Sequence, residues 1–458
     1  MSNLPVGETQ PFCFGQQFRI QWRHFAGTVS RKASILSSAI AQIGLLPEPV
    51  YVTKTAMKQF GRALLGLVWF TPLLASAQID PVRRDLIQIG YNAAFEGHAP
   101  LAAYAYYYHN QPDFLETNLT LRLAVAPVYL DSELGFVGGL GPNTDFAVGL
   151  AGGGYADSYD EIRGGTFYPT ESFDGHSAEV SASIYHLINP GAEIPLNFVL
   201  RGIAHYSFFA ADDSTAPTFR VPADHGTFSV RTGLRWGGVE PILFPPLAME
   251  LSVWYEGQFR TDSGTYGYNG DRSFEQQSHL FWAEAALSYT LPKSQQNFYV
   301  RLTAGTSVDA DRFSAYRLGG FLPLIAEYPL SLPGYFYQEI SARQFVLLNA
   351  NYLLPLDAQK HWNLDVNIAS AFVDYLPGLE QPGNWLNGVG GGVMYRSPSD
   401  RWKILAGYGY GVDAIRSHGR GANSLGIFVQ LDLGRQRGPA FNPAHPGLWR
   451  GWQWLFGS

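Results

Sequence analysis

Apolar and polar side chains alternate along most of the chain beyond residue 118. In Leu247–Arg260, the positions Leu247, Met249, Leu251, Val253, Tyr255 and Phe259 are apolar, while Glu250, Ser252, Glu256, Gln258 and Arg260 between them are polar. Phe228, Val230, Leu234 and Trp236 alternate with Ser229, Arg231, Gly233 and Arg235, and Leu119, Leu121, Leu123 and Val125 with Asn118, Thr120, Arg122 and Ala124. The same period runs through 196–209, 279–290, 297–305, 343–354, 362–372, 386–396, 401–412 and 423–433. Successive side chains of a strand point to opposite faces, so each run predicts a strand with one apolar and one polar face. Runs of about 9–12 residues match a tilted strand crossing the hydrocarbon layer. Strands of soluble sandwiches are shorter, about 5–6 residues.

Charged groups recur on the polar face at Arg122, Arg201, Arg231, Glu250, Glu284 and Arg301, as expected of a hydrated lumen. A strand in lipid cannot leave its edge unpaired, so many such strands must close on themselves. The expected fold is all-β: a single antiparallel transmembrane β-barrel over residues 78–433. Sixteen strands are expected, with 12 or 14 as alternatives, because 85–140 and 305–342 do not parse cleanly. Pro292–Gln296, Pro355–His361 and Ser397–Arg401 read as short polar turns facing the periplasm. Gly138–Asp145, Asp157–His176, Ala210–His225 and Thr261–Gln277 read as longer exterior loops.

Residues 58–77 read as a secretory signal. Lys58 and Arg62 precede the apolar run Ala63–Ala75, which is too short to span a bilayer, and Ala75-Ser-Ala77 is a small-x-small cleavage site. The expected organisation is therefore an upstream extension over 1–56, a signal peptide over 57–77 with Met57 as the start, the barrel, and a tail over 434–458. That tail carries Pro439, Pro443, Pro446, Trp449, Trp452 and Trp454, suited either to the membrane surface or to the barrel mouth. The destination is the outer membrane of a Gram-negative bacterium.

Seven of the 31 basic and two of the 38 acidic residues precede residue 78, which leaves 24 against 36 and a net charge of −12. Such a chain has no basic surface for phosphates, which excludes nucleic acid as a partner. The one cysteine, Cys13, lies upstream of the signal, so disulfides, thiol chemistry and Cys-ligated metal are excluded from the exported part. Aromatics form 15% of the residues, with 26 Tyr, 30 Phe and 11 Trp, a composition suited to strands whose ends meet a membrane interface. Tyr104, Tyr106, Tyr107 and Tyr108 read as part of such a girdle.

No catalytic, cofactor or metal constellation emerges, and the chain is not expected to be an enzyme. Gly152–Gly154 and Gly390–Gly392 sit in strand contexts, where close packing explains them. Asp309, Asp311 and Arg312 lack the ligand spacing of a calcium loop and read as solvated. His205, on a lumen position, could pair with a Ser to make a membrane hydrolase, but a lone His among eleven is too little to expect one. Ser424, Gly426, Val429 and Leu431 have the spacing of a last-strand signal, presenting a strand edge to the barrel assembly machinery.

Three further stretches resemble the bacterial surface antigen family, the BamA-type outer-membrane barrels. Phe313–Gly320 is similar to the family's entry into a late strand; Leu332-Pro-Gly-Tyr335 with Glu339 resembles its large inward-folding loop; and Arg343–Leu356 resembles the strand that follows. The resemblance covers about 297–433. It implies that Pro333, Gly334, Tyr335 and Glu339 enter the lumen and that Glu339 meets a lumen arginine such as Arg301 or Arg343. The family's loop carries Arg-Gly-(Phe/Tyr), with the Arg engaging the wall. Pro333 holds that position here, leaving Arg317 or Arg343 as substitutes. No periplasmic repeat domain fits between Gln78 and the first strand. The implied function is outer-membrane biogenesis or transport, with membrane lipid, the assembly machinery and client polypeptides as partners. The alternative is a passive porin for small solutes.

Overall fold

The computed structural model describes residues 80–322 and 329–434. The expected signal peptide, the segment before it and the tail from residue 435 lie outside the described residues. Sixteen antiparallel strands form the barrel. In chain order they are β1 Arg84–Ala94, β2 Ala102–Pro112, β3 Leu119–Ala126, β4 Tyr129–Phe136, β5 Thr144–Gly153, β6 Asp174–Leu187, β7 Leu196–Ala210 and β8 His225–Gly238. They continue with β9 Leu247–Arg260, β10 Gln277–Thr290, β11 Asn297–Val308, β12 Ile340–Pro355, β13 Trp362–Tyr375, β14 Trp385–Arg396, β15 Trp402–Arg416 and β16 Gly419–Asp432. Each strand pairs with its sequence neighbours, and Leu86–Ala94 of β1 pairs with Ser424–Asp432 of β16, so the sheet has no free edge.

The outward side chains are those a lipid solvent requires. On β9, Leu251 and Val253 are 47% and 51% exposed, while Glu250, Ser252, Trp254 and Glu256 on the other face are buried. On β13, Val366 and Ile368 lie between Trp362 near one rim and Phe372 near the other. Aromatic rings cluster at both heights, Trp362 and Trp402 against Tyr395, and Phe372 against Trp385. Ten residues at ~3.4 Å each, tilted by ~40°, separate these layers by about 26 Å, the height of an outer-membrane apolar band. No described helix is long and apolar enough to cross a membrane, and the strands make the crossing instead.

Connections from even- to odd-numbered strands share one end with both ends of the described chain. Pro292–Gln296, Pro355–His361 and Ser397–Arg401 lie at this end. So does Gly138–Asp145, which joins β4 to β5 and is therefore not one of the long exterior loops. The long connections 154–173, 211–224, 261–276 and 309–339 occupy the opposite end. A second expectation is corrected on β2. Tyr104 and Tyr106 are 2% and 7% exposed and face inward with Tyr108, on the same parity as the lumen-facing Ala102. Only Tyr107 turns outward, where its hydroxyl donates to Asp85.

Candidate functional site, an occluded lumen

The lumen wall is a lattice of cross-strand ion pairs. Arg231 donates through Nε and Nη2 to Glu256 at 2.9 and 2.6 Å; Arg235 meets Glu250 at 2.8 Å, and Arg301 meets Glu284 at 3.2 Å. Arg231 stands directly opposite Glu256 in the ladder, the placement in which opposite charges stabilise paired strands. Burial makes each pair obligatory, since a lone charge there would cost several kcal/mol.

The described parts of the connection between β11 and β12, residues 309–322 and 329–339, enter this charged interior from the long-loop end. Its base is closed by a short strand, Tyr316–Leu318, which pairs with Ile340–Ala342 at the start of β12. Phe313–Gly320 is thus a strap within the loop rather than the entry to a wall strand. Leu332 and Tyr335 are fully buried, with Phe336 and Glu339 at 1% and 2% exposure. Gly334 has φ +85°, and a Cβ there would sit 1.8 Å from the Gly411 backbone nitrogen. The wall makes room in turn: Pro333 lies against Gly388, and Tyr335 against Gly411. Gly388, Gly390 and Gly392 pair across the ladder with Gly411, Gly409 and Gly407, leaving a strip of wall without side chains on which the loop tip rests. Burial, with Asp413 and Glu339 nearby, pushes the Tyr335 phenol well above its ordinary range.

Arg416 fixes the tip. Its guanidinium donates to both carboxylate oxygens of Glu339 at 2.9 Å and stacks over Phe336 at 3.7 Å from the ring centroid. The other side of Glu339 accepts the Phe336 amide at 2.8 Å. A planar fork meeting a carboxylate in this way is among the stronger polar contacts available to a protein. The cation therefore belongs to the wall and the anion to the loop. Arg301 is engaged by Glu284 instead. Arg343 is about half-exposed and pairs with Asp374 at 3.0 Å. Arg317 donates to the Asp160 carbonyl at 2.7 Å and stacks on Tyr159. Sequence reasoning missed Arg416 because β15 is irregular between Gly411 and Ile415. Inward positions are odd up to Gly411 and even afterwards at Ala414 and Arg416, so parity counted along the strand misplaces it.

Ser424 of β16 accepts the Gly334 amide at 3.1 Å, so the last strand also holds the tip. Gly426 faces the lumen beside Phe428, while Val429 and Leu431 lie opposite Ile89 and Ile87 of β1, their edge paired within the closed barrel.

Above the tip, the long loops form a lid. Tyr159, Phe173, Phe219, Tyr266 and Phe274 form a buried aromatic cluster with Phe313 against it. Glu161, wholly buried, meets Arg272 at 3.4 Å, Arg312 at 3.2 Å and Arg163 at 3.6 Å, which joins three of the four long loops. Asp311 is buried and accepts from Arg260, the Glu275 amide and the Phe313 amide. Both Asp311 and Arg312 are structural pins, which corrects the expectation of a solvated loop. His205 lies 2.6 Å from Asp157 and 3.4 Å from Glu179. The other ring nitrogen faces Glu179, and the Ser207 hydroxyl lies 2.9 Å from Nε2 of His205 while donating to Asp157 at 2.5 Å, so the two side chains together anchor loop 154–173. Among the described residues, no group of three or more His, Cys, Asp or Glu side chains could hold a metal ion.

Beneath the tip lies a cavity of about 410 Å³, bordered by Arg122, Arg201, Arg231, Tyr185, Trp282 and Asn349. Its floor is the turn between β8 and β9, residues 239–246. Leu243 of this turn and Leu322 of the inward loop share one buried cluster with Tyr104, Tyr106, Leu405 and Phe428 of the wall. Two segments entering from opposite ends therefore meet inside the barrel.

No family model matches the chain, and no curated protein matches it. Solved structures do. CdiB from Escherichia coli superimposes with a TM-score of 0.54 at 10% identity, covering 82% of this chain and 70% of that one. CdiB from Acinetobacter baumannii gives 0.51 at 9% identity, covering 77% of this chain, which spans 60% of the length of that protein. BamA from Haemophilus ducreyi lacking POTRA domains 1-3 gives 0.49 at 9%, covering 83% and 78%. At such identities the likeness is one of fold: this chain is a closed 16-strand β-barrel similar in architecture to the CdiB barrels.

Proposed function

We propose that this chain is an outer-membrane barrel of a Gram-negative bacterium, exported by a signal peptide over 57–77, whose lumen is a gated path serving membrane biogenesis or transport. One observation supports this most directly: the loop tip is docked on Arg416 through a buried bidentate ion pair. A passive pore needs a standing aqueous channel, and a buried tip held by charge and by a glycine strip obstructs one. The chemistry of the proposed function is non-covalent: strand-edge pairing with the assembly machinery, and passage of a client polypeptide or solute once the tip moves. Lipid, through the apolar belt, is the remaining partner.

The test has two arms. A deletion strain should show altered outer-membrane protein content or loss of an exported product, and the purified barrel should rest in a low-conductance state in planar bilayers. Steady conductance in the wild-type barrel with an unchanged outer-membrane proteome would favour the passive porin. N-terminal sequencing of the mature protein should begin at Gln78.

A further inference from the structure

We propose that the turn 239–246 is a second, independent gate: a plug that closes the end of the barrel carrying the chain termini and is latched to the strands flanking the β1–β16 closure. The turn leaves the wall between β8 and β9, halfway around a sixteen-strand ring from β1 and β16. Eight residues folded back on themselves reach about 13 Å into the lumen, where side chains of β1, β15 and β16 extend inward to meet them.

The opposite wall meets the plug backbone group by group. Leu243 donates its amide to Gln430 of β16 at 2.8 Å, and its carbonyl accepts Lys403 of β15 at 3.0 Å. Gln88 of β1 donates to the Pro241 carbonyl at 2.8 Å, while Arg84 of β1 holds Glu240 at 2.9 Å. On the near side, Ser288 and Asn297 donate to the Pro245 carbonyl. A backbone carried into a barrel must have its polar groups satisfied, and here wall side chains do so from both directions. An accidental intrusion would leave such groups orphaned.

The composition of the turn points the same way. Pro292–Gln296 and Ser397–Arg401 at the same end are polar, whereas residues 241–246 read Pro-Ile-Leu-Phe-Pro-Pro. Three prolines stiffen the segment and remove donors the lumen could not satisfy, and Leu243 and Phe244 carry it into the apolar cluster below the inward loop. The latch itself is polar. Water can replace hydrogen bonds of this kind when the plug withdraws, so the closure is releasable. Because the latch residues lie on β1, β15 and β16, loosening of the β1–β16 pairing would free the plug. This inference rests on reading the barrel as a gated path.

The experiment compares full-length barrels in planar bilayers, with heat-modifiable gel migration as the check on folding. They are the wild type, the inward-loop variant Glu339→Gln, and that variant combined either with residues 239–246 replaced by a short Asn-Gly turn or with Gln88→Ala and Gln430→Ala. Two closures in series mask one another, so the plug is read with the inward loop released. The wild type should be closed; in the Glu339→Gln background the shortened turn should conduct severalfold more, and the latch variant should open more often. A steadily conducting wild type would overturn the gated reading itself. A closed wild type together with folded Glu339→Gln barrels that conduct equally with and without the plug would overturn the plug alone. If the shortened barrel does not fold, the latch variant decides: unchanged opening would overturn the latch.

Discussion

Glu339 and Arg416 carry the closure at the scale of single residues. Both are nearly inaccessible, so removing one leaves its partner as an uncompensated buried charge, at a cost of about 3–5 kcal/mol. Glu339→Ala and Arg416→Ala should each lower the thermal stability of the barrel by that order, and should raise conductance where the 239–246 turn has been shortened. The double variant should cost less than the sum of the two, because the penalty in each single variant is the stranded partner. Additive losses would mean that the pair does not act as a unit. Pro333-Gly-Tyr335 and Glu339 suggested an inward loop only through a family resemblance, and the arginine that receives Glu339 carried no signal at all. An irregularity in β15 turns Arg416 into the lumen, and no periodic pattern reports an irregularity before the register is known.

Strands were legible where one face is apolar and the other polar, as in β9, β11 and β13. They were obscure in β2, where tyrosines occupy both faces, and in β5, where Gly149, Gly152 and Gly153 thin the pattern. The plug at 239–246 left a signal of another kind, an apolar turn with three prolines where 292–296 and 397–401 at the same end are polar. It also carries a titratable group. Burial lifts the Glu240 carboxyl to about 7 from its ordinary 4.5, with Arg84 and Lys403 opposing and Asp80 assisting the rise. In loop 154–173, burial likewise lifts Asp160 to about 6 from 3.8, against Arg317. A carboxyl whose folded pKa is raised stabilises the folded position below its ordinary value and loses that contribution as pH climbs through the raised one. Both segments should therefore hold their closed positions more firmly near pH 4 than near pH 8. Openings in planar bilayers should rise across that interval, and Glu240→Gln should flatten its upper part. More frequent opening on acidification would contradict the assignment.

At the scale of the whole molecule, sixteen strands bury an ionic lattice and present an apolar belt, with segments entering from both ends to fill the middle. Alternation made the barrel and its closure readable, because a strand in lipid has no other way to satisfy its edge. The occluded interior was not readable, since it depends on contacts between residues as distant as Leu243 and Gln430 or Glu339 and Arg416. The central claim is that residues 332–339 lie inside the barrel, and proteolysis of intact cells tests it most directly. Tyr335, Phe336 and Tyr337 offer three consecutive sites to an external protease that cuts after aromatic residues. With cut sites mapped by mass spectrometry, these three should stay intact while peptide bonds in the exposed outer loops are cleaved. Cleavage at Tyr335–Tyr337 in a barrel that remains folded would place the segment outside and contradict the account.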